Sequence, residues 1–278
     1  MTGTTAAFDA WQRLDVSTVL GRLRLRTIGT GPAIVFWSSL MMNGRMWAAQ
    51  AEHFSKNYRV ILVDPPGHGD SEPLTRGFTF DECARCVVEI LDALKIDKTH
   101  FVGNSWGGMI GGTFAATYPE RVSKAVLMNC TASACSLKQK IEYGILSRVL
   151  RAVGGVRGPL VVPVVRAFAG PTTLRERPHV VAEIRNTAKS VNASSVYWAI
   201  QSVVPKRPDQ HALMAKIRTP VLVIAGEEDQ TFPVAETKAM ADSIPGAQFV
   251  VLKRTAHLAG LENPVEVNTA IEEFVAAT

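Results

Sequence analysis

One serine sits among five glycines in the stretch HFVGNSWGGMIGG, residues 100–112. Glycine inside a strand or helix lowers stability, so this crowding needs a physical reason. Either the backbone cradles a phosphate or it bends sharply to present Ser105. A phosphate loop requires G-x-x-x-x-G-K-[ST], and a dinucleotide fingerprint requires G-x-G-x-x-G after the first strand. Neither fits. G-x-S-x-G does fit, running from Gly103 through Asn104, Ser105 and Trp106 to Gly107. After an apolar strand and before a helix, this pattern is a tight, strained turn. It thrusts the serine out at the carboxyl edge of a sheet. Larger side chains at 103 and 107 would collide with neighbouring backbone. The free N–H groups and dipole at the helix start favour negative charge beside the hydroxyl.

A serine hydroxyl is a poor nucleophile at neutral pH and needs a base, itself oriented by an acid. In a strand–turn–helix setting the chain order is serine, then Asp or Glu, then His. Three histidines follow Ser105: His179, His211 and His257. The first two fall in or beside a helical segment. His257, in LKRTAHLAGLENP, follows the last expected strand and is the candidate base. His68, in DPPGHGDS, precedes the serine and reads as a structural turn histidine. For the acid, VLVIAGEEDQTFP offers Glu227, Glu228 and Asp229; Asp229 is preferred and the two glutamates read as solvated. Acyl chemistry also needs two N–H donors for the developing oxyanion. The amide of Trp106 and, from the SSLMMNGRMW loop, that of Leu40 are the candidates. Trp37, Tyr197 and Trp198 are candidate substrate-binding side chains. The Trp106 ring suits a pocket wall and a core position equally.

Several elements must bring these residues together. RLRLRTIG alternates as a half-exposed strand does. AIVFWSS, YRVILVD, THFVGN, KAVLMNCTA, TPVLVIAG and AQFVVL are apolar runs of the kind found in buried parallel strands. Helical patterns lie at about residues 45–56, 79–95, 106–117, 235–243 and 262–276. This alternation predicts a mostly parallel, twisted sheet flanked by helices. Between residues 134 and 215 the strands stop, and two long stretches read as helices. GGVRGP and GPTTLRERP read as turn-rich joints between them. The expected organisation is a core of residues 1–133 and 216–278, with a helical lid of residues 134–215 inserted before the penultimate strand.

The composition is 47% hydrophobic and 20% charged, as in a globular protein. The apolar run GPLVVPVVRAFAG is interrupted by Pro163 and Arg166 and falls short of the ~18 residues of a membrane span. The first residues lack a basic segment followed by an apolar one, so the cytoplasm is expected. Cys83 and Cys86 form a C-x-x-C on an amphipathic helix. With Cys130 and Cys135 a zinc site is conceivable; buried reduced thiols are the preferred reading. Residues 134–210 hold twelve Lys and Arg against four acidic residues, a net +8 in a chain of net +5. A solvated helical surface explains this, and so does attraction of an anionic substrate. No basic run interleaves with aromatics, so nucleic acid is not an expected partner.

DPPGHGDSEP, GNSWGG, GEEDQTFP and AHLAGLENP, in this order, resemble the α/β-hydrolase fold superfamily over nearly the whole chain. Within it the chain is most similar to the 3-oxoadipate enol-lactonase and carboxylesterase branch. Ser38-Ser39 precedes the oxyanion residue, a Met46-Trp47 pair follows, and the tail from Ala256 is alike. The resemblance implies a cofactor-free serine hydrolase acting on a small ester or lactone, and the basic segment would suit an anionic one. Carbon–carbon bond hydrolases share Gly-Asn-Ser but carry Gly-His-Trp where this chain has Ala256-His257-Leu258. A hydrolase-fold ligand receptor with little turnover is the expectation from another class.

Overall fold

The computed structural model describes residues 8–277. Eight strands form one sheet: β1 (Gln12–Thr18), β2 (Gly21–Ile28), β3 (Ala33–Trp37), β4 (Arg59–Val63), β5 (Thr99–Asn104), β6 (Val122–Met128), β7 (Val221–Gly226) and β8 (Gln248–Leu252). Their spatial order is β1-β2-β4-β3-β5-β6-β7-β8. The pairs β1–β2 and β2–β4 are antiparallel, and every pair from β4 to β8 is parallel. Every residue of β3 and β7 is buried, which explains their uninterrupted apolar sequences. β1 buries only Val16 and so carries almost no hydrophobic period. The sequence pattern did not reveal it; its pairing with β2 holds it in place.

After β3, the α-helices among the described residues are α1 (Ala48–Phe54), α2 (Phe80–Ala93), α3 (Trp106–Thr117), α4 (Leu137–Ala152), α5 (Val161–Phe168), α6 (Pro171–Glu176), α7 (Pro178–Ser190), α8 (Ala193–Val203), α9 (His211–Met214), α10 (Val234–Asp242), α11 (Ala259–Glu262) and α12 (Pro264–Ala276). Thr79 with Glu82, and Ser136 with Gln139, form capping boxes that start α2 and α4. Cys83 and Cys86 face inward from α2, and all four thiols are free and buried. None of the described helices is long and apolar enough to cross a membrane.

Six helices, α4 to α9, lie between β6 and β7. The run GPLVVPVVRAFAG, interrupted in sequence by Pro163, contains α5. The proline falls in the first helical turn, where its missing N–H has no partner to lose. GPTTLRERP is not simply a turn-rich joint, because Pro171 opens α6 there.

Because β3, β5, β6, β7 and β8 run parallel, their carboxyl ends share one edge. β3 pairs with β4 on one side and β5 on the other, so the chain direction of winding switches between β3 and β5. Ligands of open α/β sheets bind at such a switch point. The Leu40 loop leaves β3 there, and Ser105 leaves β5 beside it.

Candidate active site

Ser105 joins β5 directly to α3, with φ 57° and ψ −116°. A side chain rarely tolerates such angles, and they persist only when the surroundings enforce them. The enforcement is visible here. The Ser105 amide donates to Met128 O at 2.8 Å. A Cβ at Gly103 would lie 2.1 Å from Gly107 O, and one at Gly107 2.3 Å from Trp37 O. The glycines therefore permit close passage of three backbone segments.

His257 follows β8 and is 1% exposed. Its Nδ1 lies 2.9 Å from Asp229 Oδ2. Asp229 follows β7, and its Oδ1 accepts from the amides of Thr231 and Phe232 at 2.8 and 3.1 Å. The carboxylate is thus fixed before it meets the imidazole. A proton on His257 Nδ1 would point at Asp229 and leave the Nε2 lone pair free. Phe168 of α5 stacks on the imidazole at 5.6 Å, and Phe232 tilts against it. Ser105 and His257 line one cavity of about 260 Å³, and the Ser105 hydroxyl has no hydrogen-bond partner among the described residues. Two other hollows of about 360 Å³, one along β8 and α12 and one beside His179, contain none of these side chains.

Leu40 also lines the cavity, and neither its amide nor that of Trp106 is used in a hydrogen bond among the described residues. The next amide, Met41, donates to His68 Nε2 at 3.0 Å. His68 Nδ1 lies 3.0 Å from Pro66 O, so its own proton points there. This histidine is more than a turn residue: it anchors the loop that carries Leu40. Burial pushes its pKa down to about 4, consistent with an imidazole that both donates and accepts.

Sequence reasoning missed the residues that hold these loops together. Asn104 Nδ2 donates to Ser39 Oγ and to His257 O, at 2.8 and 2.7 Å. Asn129 Nδ2 donates to the carbonyls of Ala256 and His257, while its Oδ1 accepts from the Gly226 amide. Glu262 accepts from the amides of Ala256 and Leu258 and from Thr173 Oγ1 of α6. Its burial raises its pKa. Glu228 is not simply solvated; it accepts from the amide and hydroxyl of Thr172 at 2.8 and 2.6 Å. Only the Gly-Asn-Ser step gave a signal in the sequence; the other partners are joined by tertiary contacts alone.

Three aromatic expectations are corrected. Trp37 is 0% exposed and packs edge-on against Trp106 at 6.0 Å, as β3 buries every one of its side chains. Tyr197 and Trp198 do not line the cavity; Tyr197 lies under Arg151, and Trp198 packs near Gly77. The Trp106 ring takes its core alternative, stacked on Phe78 at 5.3 Å. Among the described residues, no group of three or more His, Cys, Asp or Glu is arranged to hold a metal ion.

The sheet order, the turn at Ser105 and the loops that meet around it are those of one family. Residues 32–264 match the family model described as the alpha/beta hydrolase fold, and the chain belongs to that family. It is 27% identical to 3-oxoadipate enol-lactonase 2 of Acinetobacter baylyi, covering 87% of each chain. It is 30% identical to the 2-hydroxy-6-oxononadienedioate/2-hydroxy-6-oxononatrienedioate hydrolase of Burkholderia vietnamiensis, covering 89% of this chain and 84% of that one. The structure of a thermophilic esterase from Thermogutta terrifontis, with malate bound, superposes with a TM-score of 0.88 at 28% identity. That match covers 95% of this chain and 98% of the esterase.

Proposed function

We propose that this hydrolase cleaves a carboxylic ester or lactone, with Ser105 as nucleophile, His257 as general base and acid, and Asp229 as the carboxylate that orients it. The observation that carries this reading is the buried Asp229–His257 contact of 2.9 Å opening onto the same cavity as a strained, unpartnered serine.

In the first half-reaction His257 Nε2 takes the Ser105 proton as Oγ attacks the carbonyl carbon. The oxyanion is received by the amides of Leu40 and Trp106. Asp229 steadies the imidazolium that forms. Collapse breaks the ester bond, and His257 returns its proton to the leaving oxygen. Water then enters, gives a proton to His257 and attacks the acyl-serine, releasing the acid and restoring Ser105. These steps need no metal or organic cofactor. Residues 134–215 act as the lid, since α4, α5 and α8 supply much of the cavity lining. At about 260 Å³ the cavity is below the roughly 300–1,000 Å³ of drug-sized ligand sites, which suits a small substrate.

The Gly-Asn-Ser step and the 30% identical Burkholderia relative favour a second reading, carbon–carbon hydrolysis of a ring-cleavage diketone. Hydrolysis of a short-chain p-nitrophenyl ester by wild type and by Ser105→Ala tests the first. The variant should fold and lose about three orders of magnitude or more in kcat. Equal rates in the two proteins would sink the assignment. Turnover of catechol ring-cleavage products without ester cleavage would favour the second reading.

A further inference from the structure

The cavity is walled mainly by aliphatic and aromatic side chains, among them Leu146, Val164, Ile200 and Phe232. Five lining residues carry polar side-chain groups: Ser105, His257, Thr231, Tyr143 and Arg207. The first two belong to the proposed chemistry. Thr231 Oγ1 is spent on Ala167 O at 2.7 Å. Arg207 and Tyr143 are left over.

Arg207 is 5% exposed, although it carries a full positive charge in a lining made mostly of apolar side chains. Its Nε donates to Ser133 O at 2.8 Å, and its guanidinium lies 5.5 Å from the Phe232 ring centroid. Its two terminal nitrogens make no hydrogen bond, and it forms no ion pair among the described residues. The groups that act on its charge are Cys135, Glu236 and Tyr143. Glu236 stands beyond ion-pair reach, the Cys135 thiol is pushed towards its neutral form by burial, and Tyr143 is a neutral phenol whose hydroxyl also has no hydrogen-bond partner. Proteins seldom bury a guanidinium without a counter-charge, because the desolvation is otherwise unrepaid. Its planar fork matches a carboxylate, and one guanidinium balances one carboxylate charge but not a doubly ionised phosphate.

We infer that Arg207 and Tyr143 form a carboxylate subsite, so that the substrate is a small ester or lactone bearing a carboxylate in addition to its scissile carbonyl. This rests on the hydrolase reading of Ser105 and narrows it. Arg207 is one of twelve basic residues in its segment; it is the one of them that is buried, and it lies in the cavity wall.

The test uses the monoethyl esters of butanedioic to octanedioic acids against the corresponding diethyl esters, read by acid release. The wild type should favour one or more of the monoesters about tenfold or more in kcat/KM, mainly through KM. Arg207→Gln should collapse that preference at least about tenfold, Arg207→Lys should lose part of it, and Tyr143→Phe should lose a smaller part. A wild type that prefers the diesters would overturn the subsite. So would an unchanged monoester-to-diester ratio in Arg207→Gln, which would make the residue a purely structural tie to Ser133. A parallel readout does not depend on turnover: calorimetric binding of the same monoesters to Ser105→Ala with and without Arg207→Gln. Selective binding of the monoester in the absence of any wild-type turnover would uphold the anion subsite while refuting ester hydrolysis. Absence of selective binding would refute the subsite directly.

Discussion

Burial holds the His68 imidazole neutral, with a pKa of about 4 against 6.5 for an exposed histidine. The unfolded chain therefore takes up this proton near pH 6.5 and the folded protein only near pH 4. Stability from the neutral ring is complete above 6.5 and is lost as pH falls towards 4, up to about 3 kcal/mol. Asp64 and Glu262, whose pKa values burial raises, act in the opposite sense as they protonate. Comparison with His68→Gln isolates the histidine. Urea unfolding at pH 7 and pH 4.5 should show the variant losing less stability on acidification than wild type; equal losses would count against a buried neutral ring. Ser105, His257 and Asp229 could be named as candidates from sequence because each follows an expected strand with the residue type that a nucleophile, a base or an orienting acid needs. Arg207 could not, because a basic side chain facing a cavity has the same letter as one facing water. Trp37 misled for a related reason. It ends the strand before the Leu40 loop, but the wrapping of helices on both faces of the sheet leaves it no route to the cavity.

At the scale of elements, two carboxylates of the sheet side grip adjacent threonines of α6. Glu228 holds Thr172, and Glu262 holds Thr173 while also receiving the amides on either side of His257. One short helix of the inserted segment is therefore fastened to the loop that presents the imidazole. Thr173→Val keeps the shape but removes the hydroxyl that donates to the buried Glu262 carboxylate and accepts from Arg177. The expected cost is about 1–3 kcal/mol, read by chemical unfolding. A change within about 0.3 kcal/mol would mean that water replaces the hydroxyl. The parallel strands were legible because full burial leaves uninterrupted apolar runs, and α2 because its one buried face leaves an apolar period. β1 was not, being an edge strand held mainly by backbone pairing. The short helices α5 and α6 were obscured by prolines, which at a first turn start a helix and elsewhere end one.

At the scale of the molecule, five parallel strand ends supply the site from segments that are far apart in sequence, and two buried amides clasp them. Asn129 alone touches Gly226, Ala256 and His257, and Asn104 links Ser39 to His257. Such a clasp cannot be released one loop at a time without stranding buried donors and acceptors. Deuterium should consequently enter the amides of Ser105, Gly226 and Glu228 at a common slow rate, set by global opening, while α4 exchanges sooner. Staggered rates among those three amides would mean independent loop opening. If the rates coincide, heat has no intermediate dose at which the site is damaged and the sheet survives: the protein would lose its chemistry and its fold in a single event.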